Sequence, residues 1–231
     1  MHRLDQLLAS LGYSSRSEAR DLLKAGLVTV KGEEASDPSL RAKASDVLFD
    51  GEPLDHPDGI LIAFNKPLGV VCTRSSSEGQ TIYEFLPEQW LRRNPEVSTV
   101  GRLDKDTEGL ILLTDRGDLL HRLASPKGRV PKVYRVFVDK DLSDGLVGIF
   151  KGGTLLLEGE KDPCAPADFR ILGPREAELI LYEGRNRQVR RMFASQGYMV
   201  QSLKRERIGP LELGDIKPGE WRDLPLDYFD K

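Results

Sequence analysis

The chain has 231 residues, 39% of them hydrophobic and 31% charged, enough for one large domain or for a small module joined to a medium one. No apolar run approaches the roughly 20 residues of a membrane-spanning helix, and the opening Met1-His2-Arg3-Leu4-Asp5 lacks the apolar core of a signal peptide. The net charge of −3 is unevenly spread, with Arg122, Lys127, Arg129, Lys132 and Arg135 in one basic stripe and Arg185, Arg187, Arg190, Arg191, Lys204, Arg205 and Arg207 in another. Such stripes can hold a polyanion while the whole chain stays mildly acidic.

In chain order, Leu4, Leu7, Leu8 and Leu11 recur at helical spacing until Gly12 breaks the pattern. Ser15 and Glu18 form a capping-box signature for a second helix, with Ala19, Leu22 and Leu23 as its apolar stripe and Gly26 as its stop. Val28–Val30 and Val47–Phe49 read as strands, each followed by a turn, Lys31-Gly32 and Asp50-Gly51. The stretch from Pro53 to Gly59 is rich in Pro, Asp and Gly and reads as a linker. The expected division is a small module over 1–55, a linker over 56–59 and a larger domain over 60–231.

Beyond the linker, strands are expected at 60–64, 70–73, 110–114, 133–138, 154–157, 169–172 and 179–182. A turn is expected over Asn65-Lys66-Pro67-Leu68-Gly69, a short helix around Ile82, Phe85 and Leu86, and longer ones at 143–150 and 186–196. The fold class is therefore α+β, with a small αβ module ahead of a mixed, mostly antiparallel sheet. The chain has no regular βαβ alternation, no Gly-x-Gly-x-x-Gly and no phosphate-binding Walker loop, which argues against a nucleotide-binding fold. Cys72 and Cys164 are far apart and form no Cys-x-x-Cys, so a reducing cytosol with no disulfide framework and no zinc site is expected.

Three segments could carry chemistry. Gly101-Arg102-Leu103-Asp104-Lys105-Asp106-Thr107-Glu108-Gly109 is a charged loop just before a buried strand, and its spacing alone does not separate a catalytic loop from a charged turn. On the helix at 186–196, Val189, Met192 and Phe193 would pack inward while Arg187, Arg190 and Arg191 share another face, open to phosphate or carboxylate. Lys132 and Tyr134 lie on one face of a strand, where a tyrosine beside cations can stack a nucleobase.

Taken in order, Gly-Arg-Leu-Asp (101–104), Asp-Thr-Glu-Gly-Leu (106–110), Lys-Val-Tyr (132–134) and Glu-Gly-Arg-Asn-Arg-Gln-Val-Arg-Arg-Met (183–192) resemble the RsuA-type pseudouridine synthases. Arg3-Leu4-Asp5, Ser15-Arg16-Ser17-Glu18-Ala19 and Val28-Thr29-Val30-Lys31-Gly32 resemble the S4 RNA-binding module that these enzymes carry, and Asn65–Gly69 is similar to the turn that opens their catalytic domain. The resemblance implies that Asp104 attacks or deprotonates the ribosyl part of a target uridine, whose uracil is released, rotated and rejoined through C5. It implies that Arg102 holds the extruded nucleotide or fills its place, that Tyr134 stacks on the uracil, and that Arg190 pairs with the catalytic aspartate. Leu179 or Leu181 would line the base pocket, the choice staying open. Lys132, Arg185, Arg187 and Arg191 would contact substrate, and Arg3, Arg16, Arg20, Lys24 and Lys31 of the module would contact RNA.

An isomerisation has no net redox change or hydrolysis, so neither cofactor nor metal is expected, in keeping with isolated His2, His56 and His121. The implied partner is ribosomal RNA or a subunit assembly intermediate, met by a cytoplasmic monomer away from membranes. Thr114-Asp115-x-Gly117-Asp118-x-x-His121, Ala124-Ser125-Pro126-Lys127, Glu160-Lys161-Asp162 with Pro166-Ala167, and the lack of a long charged tail favour the small-subunit 16S rRNA branch over the large-subunit branch. Departures are mild: His2 is inserted before Arg3, and Arg187 stands where some relatives have histidine. Competing classes are an RNA-binding protein without catalysis, against which Asp104, Tyr134 and Arg190 argue, and a glycosidase using Asp104 with Asp106 or Glu108, against which the arginine stripes argue.

Overall fold

The computed structural model describes residues 1–125 and 128–230; Pro126 and Lys127, assigned above to a branch motif and a basic stripe, lie outside the described residues. The chain packs as two compact units, one made of Met1–Leu61, Leu86–Ser98 and Leu113–Leu120, the other of Ile62–Phe85, Thr99–Leu112 and the chain from His121 onward.

In the smaller unit the leucine spacing becomes the helix Leu4–Ser10, and Ala19–Lys24 forms the second helix. The capping box closes as expected: Ser15 N donates to Glu18 Oε2 at 2.8 Å and Glu18 N donates to Ser15 Oγ at 3.3 Å. A four-stranded antiparallel sheet runs in the order Glu33–Glu34, Val28–Val30, Val47–Phe49, Glu52–Pro53. Its two hairpins turn on Lys31-Gly32 and Asp50-Gly51, all four residues at positive φ (54°, 84°, 50° and 81°), the backbone a two-residue hairpin requires. Leu4, Leu8, Leu23, Val28 and Val47 fill the space between helices and sheet.

The segment 53–59 has no apolar pattern of its own, yet it is firmly held. Asp55 N donates to Tyr13 Oη at 2.8 Å, and Arg93 donates from Nη1 to Asp55 O at 3.1 Å and from Nη2 to His56 O at 2.7 Å. Arg93 Nε reaches Asp115 Oδ2 at 2.8 Å, while Asp115 Oδ1 accepts from Ile60 N at 2.7 Å. The order of this stretch thus comes from two charged residues far away in sequence.

The larger unit is built on a mixed sheet in the order Asp168–Gly173, Glu176–Leu181, Lys132–Val138, Val200–Ile208, Glu108–Thr114, Leu61–Lys66, Trp221–Asp223. The first four strands pair antiparallel with their neighbours, as do the last two, whereas Val200–Ile208 and Glu108–Thr114 pair in parallel. Ala63, Leu110, Leu112, Ile208 and Leu211 form a core on this sheet. The helices Gly145–Lys151 and Gln188–Ser195 are shorter than the sequence pattern indicates.

Several elements differ from expectation. Residues 70–73 form no strand, because Val71 makes a single parallel bridge to Thr81. Residues 154–157 form no strand, and Ile82–Phe85 is a 3₁₀ turn. The strand Leu61–Lys66 runs into the expected turn, so Asn65 and Lys66 are buried sheet residues. The helix Gly117–Ala124 and the nine-residue strand Val200–Ile208 stand outside the expected set.

The Arg93–Asp115 pair is 2% and 6% exposed, so removing one partner strands a buried charge. Asp115→Ala is expected to cost about 3–5 kcal/mol in urea denaturation. A loss below about 1 kcal/mol would show that this pair does not hold the 53–59 segment.

Candidate active site

The loop 101–107 hangs from the start of the strand Glu108–Thr114. That strand's Gly109 lies opposite Arg205 in the parallel register, and a Cβ built on Gly109 would fall 2.3 Å from the Arg205 carbonyl oxygen. With φ at +103°, the position takes glycine for both space and conformation. The loop is tied elsewhere too: Lys105 O accepts from Gly69 N at 2.9 Å, Lys105 Nζ donates to Glu78 O at 2.5 Å, and Thr107 N closes a turn onto Asp104 O at 3.0 Å. Asp104 is therefore carried by a fixed loop.

Asp104 is half-buried in the wall of a cleft of about 270 Å³, near the low end of ordinary small-molecule pockets. Arg102, Lys132, Tyr134 and Leu181 line the same cleft, with Arg185 and Arg187 from the segment before the last helix. Of the two leucines left open, Leu181 lines the cleft, while Leu179 is fully buried and pairs with Tyr134 in the sheet register. Among the described residues the Asp104 carboxylate has no hydrogen bond and no ion pair.

Of the arginines expected to face substrate, those at 185–191 are already engaged. Arg187 grips Asp106 through both nitrogens, Nη1 to Oδ1 at 3.1 Å and Nη2 to Oδ2 at 2.7 Å, from a left-handed backbone at φ 46°. Arg190 donates to the Asp106 carbonyl at 2.5 Å and to the Val200 carbonyl at 2.8 Å. Its Nε lies 3.1 Å from Asp106 Oδ2 but off hydrogen-bonding geometry. The expected Arg190–Asp104 pair is thus corrected to Arg190–Asp106, because the turn at Asp104–Thr107 offers the helix both a carbonyl and a carboxylate from Asp106. Arg191 binds Glu160 Oε1 at 2.7 Å and Glu158 O at 2.6 Å, and Arg185 binds Glu183, Glu160 and the carbonyls of Asp162 and Pro163. In the other stripe Arg135 is shared between Glu176 and Glu206. Arg191 and Arg190 do not line the cleft.

Three further groups are not singled out by the sequence. Lys66 is fully buried, donating from Nζ to Val70 O at 2.7 Å and to Pro67 O at 3.0 Å. Burial pulls its pKa below the ordinary lysine value, opposed by Cys72, Asp106, Asp104 and Glu108. Thr107 lines the cleft with a buried hydroxyl that has no partner among the described residues. Arg205 is 3% exposed and lines the cleft, its Nε donating to Leu110 O at 2.7 Å. Charge alone places it in a basic stripe; the inward alternation from Leu203 to Arg205 is the sequence signal for its burial. Burial, with Arg205 adding to it, also holds the Lys132 ammonium below its usual pKa.

In the smaller unit Arg16, Arg20, Lys24 and Lys31 are exposed, whereas Arg3 is half-buried and bonded to Asp5 at 2.9 and 3.1 Å.

The cleft, with a carboxylate unengaged by protein, a tyrosine and cationic walls on a mixed sheet, has the composition of a nucleotide-handling site. Residues 60–195 match the model of the RNA pseudouridylate synthases and residues 2–48 that of the S4 domain. The chain belongs to the RNA pseudouridylate synthase family, with an S4 domain at its N-terminal end. It is 39% identical to a ribosomal small subunit pseudouridine synthase A of Yersinia pestis over 97% of this chain and 95% of that one. It is 37% identical to the protein of the same name from Escherichia coli strain K12, over 96% of each chain. An uncharacterised RNA pseudouridine synthase of Bacillus subtilis, YtzG, is also 37% identical, over 96% of this chain and 94% of that one. A crystal structure of a pseudouridylate synthase superposes with a TM-score of 0.69 at 33% identity, covering 100% of this chain and 99% of the other.

Burial opposes ionisation of Asp106, but the Arg187 hydrogen bonds and the Arg190 and Arg187 charges outweigh it and hold its pKa below the ordinary 3.8. A carboxylate with a depressed folded pKa stabilises the fold fully above its unfolded pKa, and that contribution is lost as pH falls through the folded value. Melting temperature followed into acid should therefore fall less steeply in Asp106→Asn than in wild type below pH about 4. Parallel acid limbs would show that the pair does not couple to folding.

Proposed function

We propose that this chain converts a uridine of small-subunit 16S ribosomal RNA to pseudouridine, with Asp104 as its catalytic carboxylate. The observation that carries the reading is the half-buried Asp104 carboxylate, without a partner among the described residues, on a fixed loop in the same cleft as Tyr134. Carboxylates in clefts are ordinarily matched by a donor or a cation, as Asp106 is here. One left unmatched beside an aromatic ring is available to a substrate.

A uridine in structured RNA leaves its stack at a cost of a few kcal/mol, and the cleft must recover that cost. Tyr134 offers a ring face to the extruded base, Leu181 an apolar side, and exposed Arg102 a cation at the mouth for a flanking phosphate. Asp104 then acts on the ribose, by attack at C1′ or by removing a ribose proton; either route breaks the C1′–N1 bond. The base turns in the cleft and rejoins through C5. Reactant and product are isomers, so the scheme calls for no cofactor or metal.

The 16S rRNA assignment rests on the likeness to two small-subunit enzymes over nearly the whole chain. In this reading the S4 domain, through Arg16, Arg20, Lys24 and Lys31, grips the RNA backbone, and the catalytic domain begins after a boundary at 56–59. The protein acts in the cytoplasm as a monomer on rRNA or an assembly intermediate. No helix among the described residues is long and apolar enough to cross a membrane.

Asp104→Asn is expected to lower pseudouridine formation on 16S rRNA by at least a factor of about 1,000 while RNA affinity changes little. Activity retained in that variant would remove Asp104 from the mechanism. Pseudouridine mapping of rRNA from cells with and without the protein identifies the subunit: a site lost from 23S rather than 16S rRNA would move the enzyme to the large-subunit branch. Replacing exposed Arg16 and Arg20 by alanine should weaken RNA binding and flatten the slope of log K against log salt by about 0.7–0.9 for each phosphate no longer neutralised. An unchanged slope would take both residues out of the RNA interface.

A further inference from the structure

Arg205 is the cleft residue that neither the proposed mechanism nor the fold accounts for. It is 3% exposed, yet among the described residues no carboxylate lies within ion-pair distance of it. Several other buried or half-buried arginines are matched by carboxylates: Arg93 by Asp115, Arg135 by Glu176 and Glu206, Arg190 by Asp106. The Arg205 guanidinium is held in part. Nε donates to Leu110 O at 2.7 Å, Nη1 lies 3.5 Å from the Tyr134 hydroxyl, and Cζ lies 6.0 Å from the Tyr134 ring centre. Nη2 is buried and has no partner among the described residues. A buried donor left unmatched is costly, and more so when it is charged.

The chemistry proposed for the cleft supplies the missing partner. Breaking C1′–N1 sends both bonding electrons to N1, by either route open to Asp104. Uracil therefore departs as an anion, its charge spread over N1 and its carbonyl oxygens. The charge disappears when C5 bonds to C1′, the C5 proton leaves and N1 is protonated. A fixed donor that meets this charge acts on the transition state more than on the neutral bound uridine. The site is well placed for it, because Arg205 contacts the tyrosine that would stack on the base and its backbone is locked against Gly109.

Resting on the pseudouridine synthase reading, we propose that Arg205 is a catalytic residue whose unpartnered Nη2 donates to a carbonyl oxygen of the departing uracil anion. Arg190, to which the family resemblance gives the electrostatic duty, is already occupied by the carbonyls of Asp106 and Val200.

The test follows single-turnover loss of the N1-linked nucleoside from 16S rRNA transcripts carrying uridine or 5-fluorouridine, with wild type, Arg205→Lys and Arg205→Met. The fluorinated base can rejoin through C5 but has no C5 proton to lose and stops at the C5-fluoro adduct. Cleavage of C1′–N1 is therefore the readout common to both. Fluorine at C5 stabilises the same anion through the base itself. Loss of one such donor should slow uridine turnover at saturating RNA by about 100- to 1,000-fold, with affinity changed less than about threefold. The loss should be about tenfold smaller on the fluorinated transcript. Equal losses on both transcripts, a loss confined to affinity, or no loss would each overturn the proposal. Melting curves establish which variants fold. If the methionine variant does not, the lysine variant carries the comparison; if neither does, Arg205 belongs to the fold alone and the proposal falls. Wild type inactive on both rRNA subunits would instead sink the functional reading on which this one rests.

Discussion

The close approach of Gly109 to Arg205 is the constraint on which the larger unit turns. At that one parallel register the backbone of Val200–Ile208 comes so near that a single methyl group would collide with it. The contact fixes where the strand Glu108–Thr114 starts, and so where the loop carrying Asp104 hangs. It also fixes the strand from which Arg205 projects beside Tyr134. Loop, tyrosine and guanidinium are thus placed by sheet geometry, a more precise support than a free loop gives.

Around that constraint the charges sort into two sets. Asp106, Glu160, Glu176 and Glu206 are consumed in binding Arg187, Arg190, Arg191, Arg185 and Arg135. These pairs lace loops to helix and strand to strand. Asp104 and the Nη2 end of Arg205 stand outside this lacing. Among the described residues, two groups of opposite sign in one cleft are thus left without a charged partner, which is what the proposed function uses.

Much of this is legible in the sequence where local rules govern. The leucine spacing, the Ser15–Glu18 box and the Lys31-Gly32 and Asp50-Gly51 turns each depend on neighbours a few residues apart, and each forms as written. The strand Val200–Ile208 is hidden because Lys204, Arg205, Glu206 and Arg207 mask its alternation with charge. The segment 53–59 reads as a linker since its anchors, Arg93 and Asp115, lie elsewhere in the chain. Motif resemblance names Arg102, Asp104, Lys132, Tyr134 and Leu181, which line the cleft, but also Arg190 and Arg191, which do not, and it leaves the pairing of the arginines open. Helical spacing shows that Arg187, Arg190 and Arg191 share a face; which carboxylate each takes is decided by long-range packing that spacing does not encode.

The neutralised helix face has a consequence for how such an enzyme selects its target. With most guanidiniums around the cleft already bound to carboxylates, the pocket exerts a muted pull on phosphate at a distance. Attraction and discrimination are then assigned to different parts of the chain. In the proposed reading, exposed cations of the S4 domain gather RNA, and the cleft responds to the shape of a nucleotide already delivered to it. A polyanion of the wrong fold gains little by entering, so fidelity comes from a site that declines to attract.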